Sequence, residues 1–516
     1  MPATTTQGGD VRRRWILLGL LGALAFLLVS GGQTGAAAPG KSKISWSKCF
    51  RDVGPFECGT VEVPLDYDTN RATISIAVAR LRATDPSRRI GSLFLNPGGP
   101  GGSGIDFLVG AGPFLFTDEV RARFDLVGFD PRGIMRSTTF RCFGNQKQWE
   151  PYFTPFPFPL TPEQEAIWIT ADRYLDAACA DRGGRIGDHM STANVARDLD
   201  VLRQAVGDEK LTYAGYSYGS FLGTTYANLF PNNFRALIVD GVLDPIAWTT
   251  GAPGQSGLPF STRLRSDAGA MATLNEFFRL CDAGDCAFGP DSADRYADLA
   301  AEVLADPTVI DYTNLVGITL GAMYDSAGWE DFAVLLADIE AAEGLTPALQ
   351  ARIKAFQLRP MYIAKRGFKN YPNFVEGFPA VACSDSVNPS SYAAWSGAGA
   401  AADAAFGYFG RIWTWVSSIC AEWPTADSDR YLGPFTANTA NPVLVVGTRY
   451  DPATRYEGAL TVDALLPNSR LLTVEGWGHT SLFLSACADA IASTYLLTSN
   501  APASSTCTQD FTPFSS

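Results

Sequence analysis

The chain has 516 residues, of which 46% are hydrophobic and 18% are charged, and its formal net charge is −13. These proportions exclude a disordered or fibrous protein, and the length allows one large fold with an insertion or roughly two to four domains. The acidic balance argues against nucleic acid as a partner, because binding to phosphates requires basic patches.

The first 38 residues have the layout of a secretory signal peptide. Three arginines at 12–14 precede a 15-residue apolar run at 15–29 and a small-residue stretch that ends at Ala38. The run is shorter than the ~20 residues of a bilayer span. We therefore expect export, and the alternative is a retained N-terminal anchor at the cell envelope. No later run suggests a membrane span in the mature protein.

Ten cysteines follow the predicted signal peptide, and this even number predicts five disulfides in an oxidising compartment. The sequence alone does not determine how they pair. Pairing in chain order closes the shortest loops and is the connectivity that we expect: Cys49–Cys58, Cys142–Cys179, Cys281–Cys286, Cys383–Cys420 and Cys487–Cys507. The chain has only two histidines and no Cys-x-x-Cys motif, so we expect neither a metal nor a cofactor.

Short apolar runs recur along the chain, and each ends in turn residues. The run at 72–81 alternates apolar residues, whereas the later runs are continuously apolar, which is typical of parallel strands buried on both faces. These later runs are 92–95, 124–129, 211–214, 236–239, 443–446 and 471–474. Val195, Leu199, Leu202 and Val206 predict a helix, capped by Ser191 or Thr192. The alternation of strands and helices predicts an α/β fold with a mostly parallel sheet.

The pattern of strands stops at Asp240 and returns near Asn441. The long stretch between them is mostly helical or irregular in character. The sequence therefore predicts a mainly helical cap insertion at 245–435. This insertion would divide the core into an N-terminal part at 39–244 and a C-terminal part at 436–516.

The motif GYSYG at 215–219 follows a predicted strand and precedes an apolar helical run. A Gly-x-Ser-x-Gly pattern in this strand–turn–helix context is typical of a serine nucleophile. The glycines are needed because a side chain at either position would clash with the neighbouring strand or helix. The turn places the hydroxyl of Ser217 at a helix N-terminus, where the helix dipole favours developing negative charge.

A serine nucleophile needs a base, and the chain offers only His189 and His479. His479 follows a predicted strand, where α/β folds place their chemistry, whereas His189 precedes a helix and is expected to be structural. Asp451 follows another predicted strand and would orient His479. If Asp451 instead caps a turn, Glu457 and Glu475 are the alternatives. The order Ser, Asp, His is that of the α/β-hydrolase fold, which we therefore predict.

The oxyanion formed during acyl transfer needs two backbone N–H donors. One is expected from Tyr218, directly after the nucleophile, and the other from the glycine-rich loop NPGGPGGSG at 96–104. The two prolines of this loop have no N–H, so Gly98 or Gly99 must donate, and we expect Gly99. The prolines also argue against a dinucleotide-binding loop, because they interrupt the amides that a phosphate would need.

Six motifs in order resemble the secreted tripeptidyl aminopeptidases, which are α/β-hydrolase serine peptidases related to prolyl aminopeptidase with a TAP-like C-terminal region. By this resemblance Ser217 is the nucleophile, Asp451 the acid and His479 the base, and Gly99 is the oxyanion-loop glycine before a proline. Met135 departs from the family pattern, which usually has glycine there. The motifs are NPGGPGGSG (96–104), GFDPRGIMRS (128–137), GYSYGS (215–220), DGVLDP (240–245), GTRYDPAT (447–454) and GWGHTS (476–481).

The resemblance implies a secreted serine exopeptidase that releases short peptides, often tripeptides, from the free N-terminus of a peptide or polypeptide. Such an enzyme binds the terminal ammonium, and Asp385 and Glu376 are the candidate carboxylates. An esterase or lipase-like hydrolase with the same triad is the alternative, because the fold hosts many chemistries. A binding protein on a hydrolase scaffold is disfavoured by the intact triad. Epoxide hydrolases and dehalogenases are disfavoured because they use Asp at the position of Ser217.

Overall fold

The computed structural model describes residues 43–69, 71–358 and 371–515. The predicted signal peptide at 1–38 lies outside these residues. Within the described ranges, none of the helices combines the length and the apolar character needed to cross a membrane.

In the described part of the chain, ten strands form one sheet in the order β1-β2-β3-β5-β4-β6-β7-β8-β9-β10. The pairs from β1 through β3 to β5 are antiparallel, and the pairs from β5 to β10 are parallel. All the predicted strands are present, while β1, β2 and β10 were not predicted. The strands are β1 (Ser47–Cys49), β2 (Phe56–Pro64), β3 (Thr73–Leu81), β4 (Gly91–Asn96), β5 (Phe124–Phe129), β6 (Leu211–Tyr216), β7 (Phe234–Asp240), β8 (Val443–Tyr450), β9 (Ser469–Trp477) and β10 (Ser505–Thr508).

The central parallel strands are buried on both faces, as their continuous apolar runs predict. Phe94 of β4 and Val127 of β5 pack in one apolar core, and their neighbours Leu93 and Leu126 pack in a second core on the other side of the sheet. All four side chains are almost completely buried. This arrangement confirms the α/β architecture with a mostly parallel sheet.

Helices outside the insertion flank the sheet. The predicted helix after Ser191 is α5, and the Ser191 hydroxyl caps it by accepting a hydrogen bond from the amide of Asn194 at 3.4 Å. These helices are α1 (Gly104–Ala111), α2 (Asp118–Arg123), α3 (Gln146–Trp149), α4 (Pro162–Arg182), α5 (Thr192–Ala205), α6 (Tyr218–Leu229), α17 (Tyr456–Leu465) and α18 (Ala486–Thr498).

Between β7 and β8 the described residues form helices and loops without strands. Trp248 and Val381 from this stretch belong to the same apolar core as one face of the sheet, whereas Phe277 and Trp329 belong to a separate core. The boundaries of the insertion, 245 and 435, stay a prediction, because the apolar core that contains Trp248 and Val381 extends across them. The helices are α7 (Pro245–Thr249), α8 (Phe260–Leu264), α9 (Ser266–Ala283), α10 (Ser292–Ala305), α11 (Tyr312–Met323), α12 (Trp329–Glu340), α13 (Pro347–Leu358), α14 (Phe374–Asp385), α15 (Ala393–Phe406) and α16 (Gly410–Trp415).

All ten cysteines form disulfides, and the pairing in chain order is confirmed. The bridges are Cys49–Cys58, Cys142–Cys179, Cys281–Cys286, Cys383–Cys420 and Cys487–Cys507. Cys142–Cys179 ties the loop after β5 to α4, and Cys383–Cys420 ties α14 to the segment after α16.

Candidate active site

Ser217 lies on the turn between β6 and α6, in a conformation that few non-glycine residues adopt. Its φ is 57° and its ψ is −127°, and a positive φ costs a residue with a side chain conformational energy. The neighbouring strand β7 stabilises this turn, because the amide of Ser217 donates to the carbonyl oxygen of Asp240 at 2.9 Å. A strained serine at the start of a helix is the geometry expected of a nucleophile on this fold.

The two glycines of the motif are required by close backbone contacts. A Cβ at Gly215 would lie 2.2 Å from the carbonyl oxygen of Gly219, on the first turn of α6. A Cβ at Gly219 would lie 2.6 Å from the carbonyl oxygen of Asn96, at the end of β4. The predicted clashes with the neighbouring helix and strand are therefore confirmed.

His479 and Asp451 form a buried pair. Nδ1 of His479 lies 3.0 Å from each carboxylate oxygen of Asp451. The Asp451 side chain is fully buried and the His479 side chain is 14% exposed. Nδ1 is thus engaged by the carboxylate, which leaves Nε2 as the nitrogen that can take a proton from a nucleophile.

Gly241 links the pair to the serine turn. It directly follows β7 with a φ of 61°, and a Cβ there would lie 3.5 Å from Cε1 of His479. Its carbonyl oxygen accepts a hydrogen bond from Oγ of Ser220 at 3.3 Å, and the same Oγ donates to the carbonyl oxygen of Ser217. The structure thus brings His479 against the same short segment that holds the turn of Ser217.

The charges of His479 and Asp451 shift each other's pKa. Burial works to lower the pKa of His479, but the adjacent Asp451 carboxylate outweighs it and holds this pKa above its usual value. Burial works to raise the pKa of Asp451, but the charge of His479 and several hydrogen bonds hold it below its usual value. Asp451 therefore stays ionised, and His479 is a stronger base than a free imidazole.

The glycine-rich loop at 96–104 packs against the serine turn. A Cβ at Gly98 would lie 2.8 Å from the amide nitrogen of Tyr218 and 2.9 Å from Cβ of Ser217. The Gly98 amide donates to Oδ1 of Asn96 at 2.9 Å, so it is already used. The amides of Gly99 and Tyr218 have no acceptor among the described residues, which favours Gly99 over Gly98 as the second donor.

We expect Gly98→Ala to lower kcat roughly 100-fold, because the added methyl would push the loop away from the Ser217 turn. The atoms in its way are mostly backbone, and the φ of 94° at Gly98 is itself unfavourable for alanine. Steady-state kinetics on a peptide anilide would measure the loss. Gly110→Ala is the matched control, because a Cβ at Gly110 in α1 would contact nothing within 4 Å. Equal activity of the two variants would show that the loop does not need this contact.

Asp385, a predicted substrate ligand, lies at the end of α14 and is 2% exposed. Its oxygens accept hydrogen bonds from the amide and hydroxyl of Thr192, at 2.7 and 2.6 Å, and from the indole of Trp248 at 3.3 Å. The same Thr192 hydroxyl is hydrogen-bonded to the hydroxyl of Tyr218. Burial raises the pKa of Asp385 to about 7. These contacts favour a role in holding Tyr218 over direct contact with a substrate.

Glu376, the other predicted substrate ligand, lies in the first turn of α14 and is fully buried. Its Oε1 accepts a hydrogen bond from the hydroxyl of Tyr371 at 2.5 Å, and its Oε2 has no partner among the described residues. Burial raises the pKa of Glu376 above its usual value. The next residue, Gly377, packs on the backbone of Gly101 in the glycine-rich loop. Glu376 is therefore buried beside the glycine-rich loop of the site.

The sequence analysis missed three residues that support the pair. The amide and hydroxyl of Thr454 donate to Asp451 at 2.8 and 2.9 Å, and the carbonyl oxygen of Tyr324 accepts the amide of His479 at 3.0 Å. The carboxylate of Asp240 accepts hydrogen bonds from the amide and hydroxyl of Ser481, and burial raises its pKa to about 7. Thr454 and Asp240 lie in recognised motifs, but Tyr324 carries no sequence signal because it comes from the insertion.

Two groups of side chains in the described ranges have the spacing of metal ligands. They are His189 with Asp427 and Asp429, and Asp66 with Asp68 and Asp429, and the potential ligand atoms of each group lie within 4.8 Å of one another. Asp427 already accepts hydrogen bonds from the amide of Ser191 and the side chain of Asn194. Neither group includes Ser217, His479 or Asp451. The absence of a metal from the reaction stays a prediction.

Comparison with known proteins places this geometry in a family. A model described as "alpha/beta hydrolase fold" matches residues 91–265, and one described as "TAP-like protein" matches residues 405–507. A tripeptidyl aminopeptidase of Streptomyces coelicolor is 30% identical over 501 residues, covering 94% of this chain and 89% of the relative. The serine protease Hip1 of Mycobacterium tuberculosis is 30% identical over 532 residues, covering 96% of this chain and 97% of the relative.

A further relative from Mycobacterium tuberculosis is named carboxylesterase B. It is 31% identical over 502 residues, covering 92% of this chain and 91% of the relative. All three matches extend over nearly the whole chain, so they include the insertion as well as the sheet. The chain therefore belongs to the tripeptidyl aminopeptidase family of α/β-hydrolase serine peptidases.

Proposed function

We propose that the protein is an exported serine exopeptidase that removes short peptides, with tripeptides as the main product, from free N-termini. The observation that carries this proposal is the strained turn of Ser217 beside the buried His479–Asp451 pair. The names of two relatives, tripeptidyl aminopeptidase and serine protease, support a peptide as the substrate.

In the proposed mechanism Oγ of Ser217 attacks the scissile carbonyl while Nε2 of His479 takes its proton. Asp451 holds the imidazole through Nδ1 and stabilises the imidazolium that forms. The amides of Gly99 and Tyr218 donate to the oxyanion of the tetrahedral intermediate. His479 then gives its proton to the leaving amine, and an acyl-enzyme remains on Ser217. Water, deprotonated by His479, attacks the ester and releases the N-terminal peptide as its carboxylate.

An esterase is the second candidate function, because the relative named carboxylesterase B is 31% identical over nearly the whole chain. Ser217, His479 and Asp451 would attack an acyl ester in the same way as an amide. The two functions differ in the leaving group and in the need for a free substrate ammonium.

Three chromogenic substrates distinguish these functions: a free-amino tripeptide anilide, its N-acetylated twin and a short acyl ester. We expect the free-amino anilide to be cleaved roughly 10- to 100-fold more efficiently than the acetylated one, since loss of a charge-assisted contact costs about 1.5–3 kcal/mol. The rate of the Ser217→Ala variant, measured on each substrate, gives the background without the nucleophile. Equal cleavage of the two anilides, or cleavage of the ester alone, would contradict the exopeptidase and leave a general serine hydrolase.

Export is part of the proposal, and the five disulfides support it, because such bonds persist in oxidising compartments. Expression of the whole chain in an actinobacterial host, followed by N-terminal sequencing of the extracellular protein, tests it. We expect a mature chain that starts after Ala38. Recovery of the uncleaved chain in the membrane fraction would favour a retained anchor.

A further inference from the structure

The imidazole of His479 has neighbours on several sides. Its Nδ1 lies 3.0 Å from each carboxylate oxygen of Asp451 and 3.3 Å from the hydroxyl oxygen of Thr454. A Cβ at Gly241 would lie 3.5 Å from its Cε1. The ring of Tyr324 lies against it with 5.0 Å between the ring centroids. The first three neighbours belong to the sheet and its loops, whereas Tyr324 belongs to the insertion.

The two rings meet edge to face. The angle between the planes of Tyr324 and His479 is 70°, and aromatic rings favour such an arrangement over a parallel sandwich. A hydrogen bond at Nδ1 fixes only one atom of the imidazole, so the tilt of the ring depends on what packs against it. The Tyr324 ring therefore restricts the directions in which Nε2 can point.

Tyr324 is itself held by the insertion. It directly follows α11, and it packs against the separate apolar core of the insertion. Ile318 and Met323 of α11 are buried in that core, at 1% and 0% exposure. The Tyr324 side chain is only partly buried. One part of this residue is thus anchored in the insertion, and its ring faces the catalytic imidazole.

The backbone of the segment 324–326 also pairs with the chain at His479. The amide of His479 donates to the carbonyl oxygen of Tyr324 at 3.0 Å, and Asp325 forms an antiparallel bridge with Gly478. Gly478 permits this approach, because its φ is 129° and a Cβ there would lie 3.1 Å from the same carbonyl oxygen. The pairing fixes the distance between the backbones that carry the two rings.

A second set of contacts holds the residues just before His479. The side chain of Gln509 accepts the amide of Trp477 and donates to the hydroxyl of Ser326, both at 3.0 Å. The indole of Trp477 donates to Glu276 of α9 at 2.9 Å and packs, like Tyr324, against the core of the insertion. The insertion therefore contacts the histidine loop through both backbone and side chains.

The ring of Tyr324, and not its hydroxyl, makes the contact with the histidine. The hydroxyl forms no hydrogen bond with another residue in the described part of the chain. Burial and the nearby charge of Asp451 raise the pKa of Tyr324 above its usual value, so the phenol stays neutral near neutral pH. Phenylalanine at this position would keep the ring contact and lose only the hydroxyl.

We propose that Tyr324 is a positioning residue for catalysis, through which the insertion orients the imidazole of His479 toward Ser217. This inference rests on the proposed role of His479 as the base, and it applies equally to a peptide and to an ester substrate. Tyr324 would not touch the reacting atoms. It would keep Nε2 aligned with Oγ of Ser217, because proton transfer needs these two atoms within hydrogen-bond reach.

Steady-state kinetics on the free-amino tripeptide anilide test the proposal. We expect Tyr324→Ala to lower kcat roughly 10- to 100-fold, because a misplacement of about 1 Å at a reacting group costs up to about 100-fold. KM is expected to stay within about twofold. Tyr324→Phe is expected to restore kcat to within about twofold of the parent enzyme. An unchanged kcat in Tyr324→Ala, or an equal loss in Tyr324→Phe, would overturn the proposal.

Tyr408→Ala is the matched control for a loss of packing. Tyr408 is also partly buried against the core of the insertion, and it makes an edge-to-face contact with Tyr296 at the same 5.0 Å centroid distance. We expect its thermal midpoint to fall as much as that of Tyr324→Ala, with kcat unchanged. An equal loss of kcat in Tyr408→Ala would assign the effect to general stability and contradict the positioning role.

The imidazole can also be observed directly, because the chain has only two histidines. In protein made with ¹⁵N-labelled histidine, the proton on Nδ1 of His479 gives a downfield signal, which His479→Ala identifies. We expect Tyr324→Ala to broaden or remove this signal and Tyr324→Phe to retain it. A sharp, unshifted signal in Tyr324→Ala would overturn the proposal, whatever its kcat. This measurement needs no substrate, so it tests Tyr324 even if the proposed exopeptidase function fails.

Discussion

Replacing either Ser217 or His479 by alanine is expected to lower kcat about 10⁶-fold, and the double variant is expected to be no slower than either single variant. The two side chains act as one unit, because an unactivated serine hydroxyl is a poor nucleophile and an imidazole without the serine has no proton to take. The residual rate in all three variants would come from substrate binding and from the amides of Gly99 and Tyr218. Steady-state kinetics on the free-amino tripeptide anilide would measure these rates.

The chain supplies its own control for the histidine. His189→Ala removes the only other imidazole, and His189 lies in a short 3₁₀ helix where its carbonyl oxygen accepts a hydrogen bond from Arg132 at 3.1 Å. The substitution keeps that carbonyl, so we expect kcat within about twofold of the parent enzyme. Additive losses in the Ser217 and His479 variants, or a large loss in His189→Ala, would contradict the assignment of His479 as the base.

The sequence predicted the central sheet well because its strands are buried on both faces. A run such as 124–129 must be apolar throughout, and the strand β5 has those bounds. The edge strands carry no such constraint. β1 has three residues with two of them exposed, and β10 has the sequence Ser-Thr-Cys-Thr. Their pairing comes from backbone hydrogen bonds to one neighbour, which composition does not reveal.

The triad candidates were predictable because each follows a strand at the carboxyl edge of the sheet, and the topology alone brings those ends together. The buried environment of two carboxylates on α4, those of Asp172 and Asp176, could not be predicted. Asp172 and Asp176 are an i,i+4 pair on a 21-residue helix, a pattern typical of a solvated face. Their burial arises from packing against other segments, among them the one that carries Ser418, 246 positions beyond Asp172. The donors that occupy Asp385, Thr192 and Trp248, are also distant in sequence, at 193 and 137 positions.

Asp451→Asn is expected to lower kcat/KM about 10⁴-fold near neutral pH. An asparagine of the same shape loses the charge and presents an N–H that can donate to Nδ1 of His479. The imidazole would then carry its proton on Nε2, the nitrogen that must accept the proton of Ser217. The amide of Thr454, which now donates to Oδ1 of the carboxylate, can still donate to the asparagine oxygen and would hold this side chain in place.

The pH profile of the same variant gives a second and independent readout. His479 works as a base only when neutral, so kcat/KM of the parent enzyme falls as the pH drops through the pKa of His479. The Asp451 carboxylate holds that pKa above its usual value. Without the charge the pKa falls, so the acid limb of the profile is expected to move to lower pH. Loss of activity with an unmoved limb would show that Asp451 does not face His479 in solution.

Glu475→Gln tests the alternative acid with the same chemical change. Glu475 is on β9, four residues before His479, but its carboxylate is paired with Arg449 at 2.7 Å and is 39% exposed. A partly exposed ion pair contributes little to the charge at the buried imidazole. We therefore expect Glu475→Gln to keep both the parent kcat/KM and the parent acid limb. A shift in its profile larger than that of Asp451→Asn would make Glu475 the acid, and the buried pair of Asp451 and His479 would then be structural.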